Sequence, residues 1–303
     1  MKKFGVIAIT ALAVLLTGCG TSQNFQSQTI SENDVSAISI DATTNFSVSR
    51  VVVLANGVAE IMNALNAKSI LVGRDISSTE KELKDIPIVT SGHQVLPEKI
   101  IELKPDLIII DASTGPKAAL DQIRNAGIKI IETPESWTLT DIPTKVSAVA
   151  SAIGATTQGD LLNQAFAKEL KTSTIATKPR IAFLYLRGTS SVYLIGGPGS
   201  GSDSLIEAIG ATDVGAKSLP NPFNTMTAES LATLNPDVII VMTKGLQSVG
   251  GISGLLKLPG VAQTQAGKNQ AVIDVDDSLL LSFGPRTPSL INALAKAVTA
   301  VTK

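Results

Sequence analysis

A chain of 303 residues with 44% hydrophobic and 17% charged residues is typical of a compact globular protein of one or two domains, which excludes a disordered chain. The formal net charge is −1 at pH 7 and lysines and arginines form no basic run, so nucleic acid is not an expected partner. Aromatic residues make up only 3% of the chain, too few for a box that stacks on a sugar or a nucleobase.

The first nineteen residues are typical of a secretory signal that ends in a lipid-attachment site. Two lysines precede an apolar run over 6–16 that is too short to span a membrane, and Leu-Thr-Gly leads directly into Cys19, the only cysteine. We therefore expect residues 1–18 to be a removed signal peptide and Cys19 to carry lipid, which places the mature chain outside the cytoplasm on the cell membrane. The alternative is a free thiol behind an ordinary signal peptide.

The segment after Cys19 predicts a tether. Residues 20–44 are rich in Ser, Thr, Gln and Asn and show no hydrophobic periodicity. We expect residues 19–45 to be a flexible connection that lets the folded part stand away from the membrane.

A helix–strand unit then occurs twice. The stretch LPEKIIELKPDLIII at 96–110 returns 131 residues later as TAESLATLNPDVIIV at 227–241. In each copy, apolar residues at helical spacing predict a short amphipathic helix, a proline ends it, and an unbroken apolar run predicts a strand buried on both faces of a parallel sheet. The chain therefore contains two α/β lobes of similar plan.

The other predicted elements complete this plan. We expect a first lobe over 46–140, a helix over 141–173 with a weak point at Gly154, and a second lobe over 174–303. The predicted fold class is α/β, with two Rossmann-like α/β lobes joined by a single long helix and a ligand cleft between them. Ligands of open α/β sheets bind beyond the carboxyl ends of the strands, and one helix as a connection predicts only modest closure.

Together these features resemble the class III substrate-binding proteins of metal-chelate ABC importers, and among them the haemin-binding lipoproteins. The resemblance rests on the lipid-attachment signal, the EKIIELKPDLII unit and two further stretches, GLQSVGGISGLLKLPGVAQTQAGKNQAV and LLLSFGPRTP, and it covers about residues 49–302. It implies a monomeric, lipid-anchored receptor without enzymatic activity, which captures haem and delivers it to the permease and ATPase of an importer.

Two side chains are candidate iron ligands. His93, the only histidine, follows a Ser-Gly pair in a loop predicted to face the cleft, and imidazole is a good ligand for iron. The resemblance implies one axial ligand in this loop and a second at Tyr193, where a strand of the second lobe meets a glycine-rich loop. The alternatives are a loop-bridging histidine and a core tyrosine. Tyr185 is predicted to lie in the core, because its neighbours are apolar.

Four more residues are candidates for binding or docking. Glu98 and Glu229 occupy the same place in the two copies, in the first turn of a helix, where the helix dipole by itself favours a carboxylate. The resemblance implies that they dock onto the permease. Met242 and Arg286 are candidates for further contacts with haem, the alternatives being a core methionine and an arginine paired with a surface carboxylate.

Two other functions remain open. The ligand could be a ferric siderophore or cobalamin, although few aromatic residues and scattered arginines argue mildly against this. The chain could instead be an extracellular hydrolase that uses His93 with a serine and an aspartate. No G-x-S-x-G motif and no free cysteine to pair with His93 are present to support that reading.

Overall fold

The structure is a computed structural model that describes residues 27–41, 45–92, 94–170 and 175–302. The predicted signal peptide, Cys19 and His93 lie outside these described residues. Within the described ranges, none of the helices combines the length and the hydropathy that a bilayer-spanning segment needs.

Short parallel strands and helices alternate along most of the described chain. The strands are β1 (Gln28–Ile30), β2 (Val51–Val53), β3 (Leu71–Arg74), β4 (Thr90–Ser91), β5 (Gln94–Val95), β6 (Leu107–Ile110), β7 (Lys129–Glu132), β8 (Arg180–Arg187), β9 (Val192–Gly196), β10 (Thr212–Asp213), β11 (Phe223–Thr225), β12 (Val238–Met242) and β13 (Val272–Val275). The α-helices are α1 (Val58–Ala64), α2 (Pro97–Glu102), α3 (Lys117–Asn125), α4 (Ile142–Ala152), α5 (Thr156–Glu169), α6 (Ser202–Ala208), α7 (Val214–Ser218), α8 (Ala228–Leu234), α9 (Thr243–Ser248), α10 (Gly251–Leu255), α11 (Gln265–Asn269), α12 (Asp277–Leu280) and α13 (Thr287–Val301).

The first lobe is built on a parallel sheet with the strand order β3-β2-β6-β7. Both faces of this sheet are buried. Val51 and Val53 pack on the side of α1, whereas Val52 packs on the other side in a cluster with Ile100 of α2 and Leu120 of α3. Helices on both faces explain why these strands are continuous apolar runs and not alternating ones.

The second lobe is built on a mixed sheet with the order β1-β13-β12-β8-β9-β11, and β10 also pairs with β8. Strands β1, β13, β12 and β8 are parallel, and β9 and β11 complete an antiparallel edge. Phe183 and Ile240 face a cluster that includes α13, while Leu184 and Ile239 face a second cluster that includes α8. The prediction of two α/β lobes is therefore confirmed.

The repeated unit forms the predicted helix and strand in both lobes, α2–β6 and α8–β12. The shared Pro-Asp pair has a structural role, because the carboxylate of Asp106 accepts hydrogen bonds from the backbone amides of Ser49 and Arg50 at 2.6 and 3.0 Å. Asp237 accepts the equivalent bond from the amide of Arg180 at 2.9 Å. Each aspartate therefore fixes the start of its own strand against a neighbouring strand.

The connection between the lobes differs from the predicted single helix. Residues 142–169 form two helices, α4 and α5, and Gly154 between them adopts the left-handed conformation with φ of 76°. The helices pack on each other: Asn163 Nδ2 donates to the carbonyl of Pro143 at 3.0 Å, and a side chain on Gly159 would collide with Ala150. The weak point noted at Gly154 is thus a full break, because a left-handed residue cannot continue a helix.

The prediction of a flexible tether over 19–45 is wrong for the described residues 27–41. Strand β1 pairs with the edge strand β13 of the second lobe. The chain then crosses towards the first lobe: the amide of Ile38 donates to Pro285 of the second lobe, and that of Ile40 donates to Ala64 of the first lobe, both at 3.1 Å. Ile30 is buried in the core, which is the physical reason that this polar stretch folds. We call residues 27–41 the strap.

The two lobes share a continuous core. One cluster of buried apolar side chains joins Val53 and Met62 of the first lobe to Val149 of α4 and to Phe183 and Ile240 of the second lobe. An apolar contact of this kind resists separation of the two lobes, and the modest closure expected from the sequence stays a prediction.

Candidate ligand site between the lobes

A small cavity lies at the carboxyl edge of the first-lobe sheet. Its volume is about 100 Å³ and its lining comes from the ends of β2, β6 and β7 and from α4: Ala55, Asn56, Asp111, Ser113, Pro134, Glu135, Ser136, Trp137 and Lys145. A larger depression of about 360 Å³ lies at the amino ends of β8, β12 and β13. Because ligands of such sheets bind at the carboxyl ends, the smaller cavity is the one beside the expected site.

A hairpin of the first lobe lies next to this cavity. Strands β4 and β5 pair antiparallel, and Gln94 of β5 bridges to Gly115, in the loop that follows β6. Ser91 and Gly92 are exposed. His93 belongs to this hairpin in sequence but lies outside the described residues, so its role as an iron ligand stays a prediction.

The two tyrosines lie on opposite faces of the second-lobe sheet. Tyr193 of β9 is opposite Leu186 and packs, half-buried, against the cluster on the side of α8. Tyr185 of β8 is half-buried on the other face, at the carboxyl end of its strand. The guanidinium of Arg187 lies 4.4 Å from the Tyr185 ring centroid, and Phe223 meets that ring edge-on at 5.8 Å. No side-chain hydrogen bond occupies the Tyr185 hydroxyl among the described residues.

The sequence pointed away from Tyr185, which was predicted to be a core residue. A signal for its neighbourhood was nevertheless present in FLYLRG. Residues two apart on a strand share a face, so Arg187 had to lie beside Tyr185. Arginine is rarely fully buried, so its place beside Tyr185 indicates that this end of the strand is not part of the closed core.

Arg286 is buried and bound to two carboxylates of the first lobe. Its Nη2 lies 3.0 Å from Glu60 Oε2 and 2.9 Å from Glu80 Oε1, and its backbone amide donates to Glu60 Oε1 at 2.5 Å. Burial raises the pKa of Glu80 to about 7, against the lowering effect of the Arg286 charge. We call Glu60, Glu80 and Arg286 the interlobe triad, because Arg286 joins the second lobe to two carboxylates of the first. We therefore do not include Arg286 among the residues proposed to hold the ligand.

Met242 is also buried, with 3% of its surface exposed, at the junction of β12 and α9. Its neighbours belong to the core shared by both lobes. We therefore leave Met242 out of the proposed ligand contacts as well.

Lys145 and Asn56 hold the second lobe against this edge of the first lobe. Lys145 Nζ donates to the carbonyl oxygen of Ser282 at 2.9 Å, and Asn56 Nδ2 donates to that of Leu281 at 2.8 Å. Gly57 packs so closely on Ser282 that a side chain there would overlap its carbonyl oxygen. Neither Asn56 nor Lys145 was singled out from the sequence, because the contacts join segments more than a hundred residues apart.

Glu98 and Glu229 are both exposed, in the first turns of α2 and α8. Each helix precedes a parallel strand and runs back along it, so its first turn lies at the carboxyl edge of its sheet. The two carboxylates therefore stand on the side of the molecule that carries the candidate site, one on each lobe.

The chain folds into two α/β lobes, and polar groups collect where the carboxyl ends of their strands meet. This is the architecture of a two-lobed ligand-binding protein. Residues 51–279 match the family described as periplasmic binding protein, and the chain belongs to this family. The proteins named below are binding or transport proteins and not enzymes.

Two curated relatives match the chain. An uncharacterized ABC transporter substrate-binding lipoprotein of Bacillus subtilis, YvrC, is 26% identical over 98% of this chain and 97% of its own length. A vitamin B12-binding protein of Vibrio parahaemolyticus is 24% identical over 68% of this chain and 75% of its own.

Solved structures that are similar to this chain include two heme-binding proteins. The periplasmic heme-binding protein RhuT of Roseiflexus is 35% identical, with a TM-score of 0.79, covering 84% of this chain and all of RhuT. The heme-binding protein HmuT is 33% identical, with a TM-score of 0.78, covering 90% of this chain and 94% of HmuT. HmuT has also been solved with a histidine, a tyrosine or an arginine replaced by alanine.

Proposed function

We propose that this protein is the extracytoplasmic haem receptor of an ABC importer. It is anchored to the membrane by lipid on Cys19 and passes haem to a permease and its ATPase. The observation that carries the choice of ligand is the likeness of nearly the whole folded chain to two haem-binding proteins. The lipoprotein named among the relatives supports the anchor.

We propose that the iron is held between the lobes, by His93 from the first-lobe hairpin and by a tyrosine from the second lobe. Tyr193 is the tyrosine that the sequence resemblance implies. The contacts favour Tyr185 instead, because it lies near the carboxyl end of β8, its hydroxyl has no hydrogen-bond partner among the described residues, and the guanidinium of Arg187 packs over its ring. Tyr193 packs on the opposite face of the sheet.

A haemin titration tests this proposal. Wild-type protein is expected to saturate at one defined stoichiometry, with a Soret band distinct from that of free haemin and a charge-transfer band typical of ferric iron bound to a phenolate. His93→Ala and Tyr185→Phe should each weaken binding at least about tenfold, and Tyr185→Phe should also remove the charge-transfer band. Tyr193→Phe serves as the matched control.

Two outcomes would contradict the proposal. The absence of any saturable spectral change in the wild type would remove haem as the ligand. If Tyr193→Phe removed the charge-transfer band and Tyr185→Phe left it intact, the second ligand would be Tyr193.

Cobalamin is the second candidate ligand, because one curated relative is named as a vitamin B12-binding protein. Cyanocobalamin titrated under the same conditions should bind far more weakly than haemin. Tight binding of cyanocobalamin together with weak binding of haemin would reverse this assignment.

A further inference from the structure

Lys145 is a buried ammonium group with spare hydrogen-bond donors. Only 3% of the residue is exposed, and Nζ donates to the carbonyl of Ser282 at 2.9 Å. Among the described residues no carboxylate lies within 4.0 Å of Nζ. An ammonium has three donors, so two of them have no acceptor on the described protein.

Ser136 adds a second unsatisfied group to the same place. It is 5% exposed, and its Oγ is buried without a hydrogen-bond partner in the described structure. Lys145 and Ser136 line the cavity of about 100 Å³ at the carboxyl edge of the first-lobe sheet. Buried donors without partners are costly, so this cavity is built for acceptor atoms that come from elsewhere.

The carboxylates in the lining are already in use. Asp111 Oδ1 accepts from the hydroxyls of Ser113 and Thr114 at 2.8 Å, and its Oδ2 accepts from the backbone amide of Asn56 at 2.9 Å. Glu135 Oε2 accepts from the indole nitrogen of Trp137 at 3.0 Å. These acceptors stabilise the loops that line the cavity, and neither carboxylate lies within 4.0 Å of the ammonium.

The Lys145 ammonium is short of countercharge. Burial lowers its pKa to about 8, and the more distant carboxylates of Glu60, Asp111 and Glu135 oppose this only in part. A further negative group in contact with Nζ would stabilise the charged form of Lys145.

The position and size of the cavity identify the kind of group. The loop that contributes Ser113 is bridged to the hairpin through Gly115 and Gln94, which places the cavity beside the proposed iron-binding hairpin. With a volume of about 100 Å³, the cavity has room for one carboxylate with part of its stem.

We propose that this cavity takes a carboxylate at the edge of the transported ligand, with Lys145 Nζ and Ser136 Oγ as its donors. The inference rests on the proposed function, because haem carries two propionate carboxylates on one edge. In this proposal Lys145 selects ligands that carry acidic substituents, independently of how the iron is coordinated.

The test compares haemin with haemin dimethyl ester, in which both carboxylates are esterified. Wild-type protein should bind haemin about 10- to 100-fold more tightly than the ester, the range expected for a buried hydrogen bond to a charged group. Lys145→Met should remove this preference by weakening haemin binding and leaving ester binding unchanged. Ser136→Ala should reduce the preference several-fold, and Lys129→Met, an exposed lysine, should leave it intact.

The pH dependence gives a second readout. Only the charged ammonium pairs with the carboxylate, and in the free protein it loses its proton near pH 8. Haemin affinity of the wild type should therefore fall about tenfold per pH unit above 8, while ester affinity and the Lys145→Met variant show no such fall.

Each outcome bears on one of the two proposals. Failure of wild-type protein to bind haemin at all would overturn the proposed function. Tight binding of haemin and of its ester with equal affinity, or a haemin–ester preference that survives in Lys145→Met, would overturn the role of this cavity while leaving the haem receptor in place. Because Lys145 also contacts Ser282, thermal unfolding of Lys145→Met is measured in parallel. Binding of haemin dimethyl ester to this variant reports whether its haem site is still formed.

Discussion

The guanidinium of Arg187 covers the ring of Tyr185, with 4.4 Å between the central carbon and the ring centroid. Both side chains belong to the last three residues of β8, and Asp277 Oδ2 lies 3.8 Å from Arg187 Nη2. The Arg187 guanidinium therefore contacts both an aromatic ring and a carboxylate. The cation–π contact therefore holds the Tyr185 ring in place beside the end of β8.

Arg187→Leu is expected to weaken haemin binding by about tenfold, the effect of a loss of ~1 to 2 kcal/mol of charge stabilisation at a partly desolvated site. The charge-transfer band should shift, because the phenolate becomes a stronger donor without the neighbouring cation. Absorbance titration measures both effects. Arg124→Leu, which changes an exposed arginine of α3, is the control, and an identical spectrum in both variants would contradict the role of Arg187.

Glu80→Gln is expected to change how stability depends on pH. Burial raises the folded-state pKa of Glu80 to about 7 from an ordinary value of 4.5. The folded protein keeps a proton that the unfolded chain releases over this range, so the contribution is complete below pH 4.5 and is lost as pH rises through 7. The loss is of the order of 3 kcal/mol.

Urea unfolding at pH 5 and at pH 7.5 measures this difference. The wild type should lose stability between the two values, and Glu80→Gln should lose less. Glu132→Gln, at an exposed glutamate, should behave as the wild type. An unchanged pH slope in Glu80→Gln would show that Glu80 carries no titration of consequence in the triad with Glu60 and Arg286.

Gly57→Ala is expected to disturb the contact between the lobes. Gly57 has φ of 71°, and an added methyl group would overlap the carbonyl oxygen of Ser282. Gly127 has φ of 79° but open space around it, so Gly127→Ala reports the backbone strain alone, about 1 kcal/mol. We expect Gly57→Ala to cost at least ~2 kcal/mol more in chemical unfolding. If the two variants lost the same free energy of unfolding, the close contact between Gly57 and Ser282 would contribute nothing to stability.

Removal of β1 is expected to destabilise the second lobe. A mature chain lacking residues 20–30 loses the burial of Ile30 and leaves the edge of β13 unpaired, at a cost of roughly 2 to 5 kcal/mol. Chemical unfolding gives the loss, and gel filtration detects association through the open edge. A chain lacking only residues 20–26 keeps β1 and is the matched control. Equal stability of the two deletions would rule out a structural role for β1.

Glu98→Ala combined with Glu229→Ala is expected to abolish transfer to the permease while leaving haemin affinity unchanged. The two carboxylates lie on separate lobes at the edge that carries the site, so losing both removes one contact on each half of the interface. Haem-dependent growth of the producing cells and haemin titration of the pure protein provide the two measurements. Glu102→Ala, at the other end of α2, is the control. Weakened haemin binding in the double variant would place these residues in the ligand site instead.

The repeat made much of the fold predictable. Equal spacing of apolar residues, a Pro-Asp pair and an apolar run in 96–110 and 227–241 describe a unit whose helix and strand form from local signals. The structure adds the reason for the aspartates, since Asp106 and Asp237 bind amides at the start of neighbouring strands. That partnership joins residues 57 positions apart in each lobe and has no local signature.

Other features depend on contacts between distant segments and could not be read in advance. The strap is polar by composition, and it folds because one side chain, Ile30, enters the core while its backbone completes a sheet edge. Arg286 could be recognised as a candidate for a charge contact, but its partners Glu60 and Glu80 lie more than two hundred residues away. Lys145 could not be recognised for the same reason. The periodicity of its helix indicates only which face of the helix is buried, and not which distant segment Lys145 contacts.

Strand β1 also sets the reach of a membrane attachment at Cys19. It begins at Gln28, nine positions after that cysteine, and nine residues span at most about 30 Å. Because β1 runs parallel to β13, its first residue lies at the base of the second lobe, on the side away from the cleft. With the proposed lipid on Cys19, the protein is therefore held by a short connection at the base of the second lobe. The bilayer then restricts the directions in which the cleft between the lobes can face.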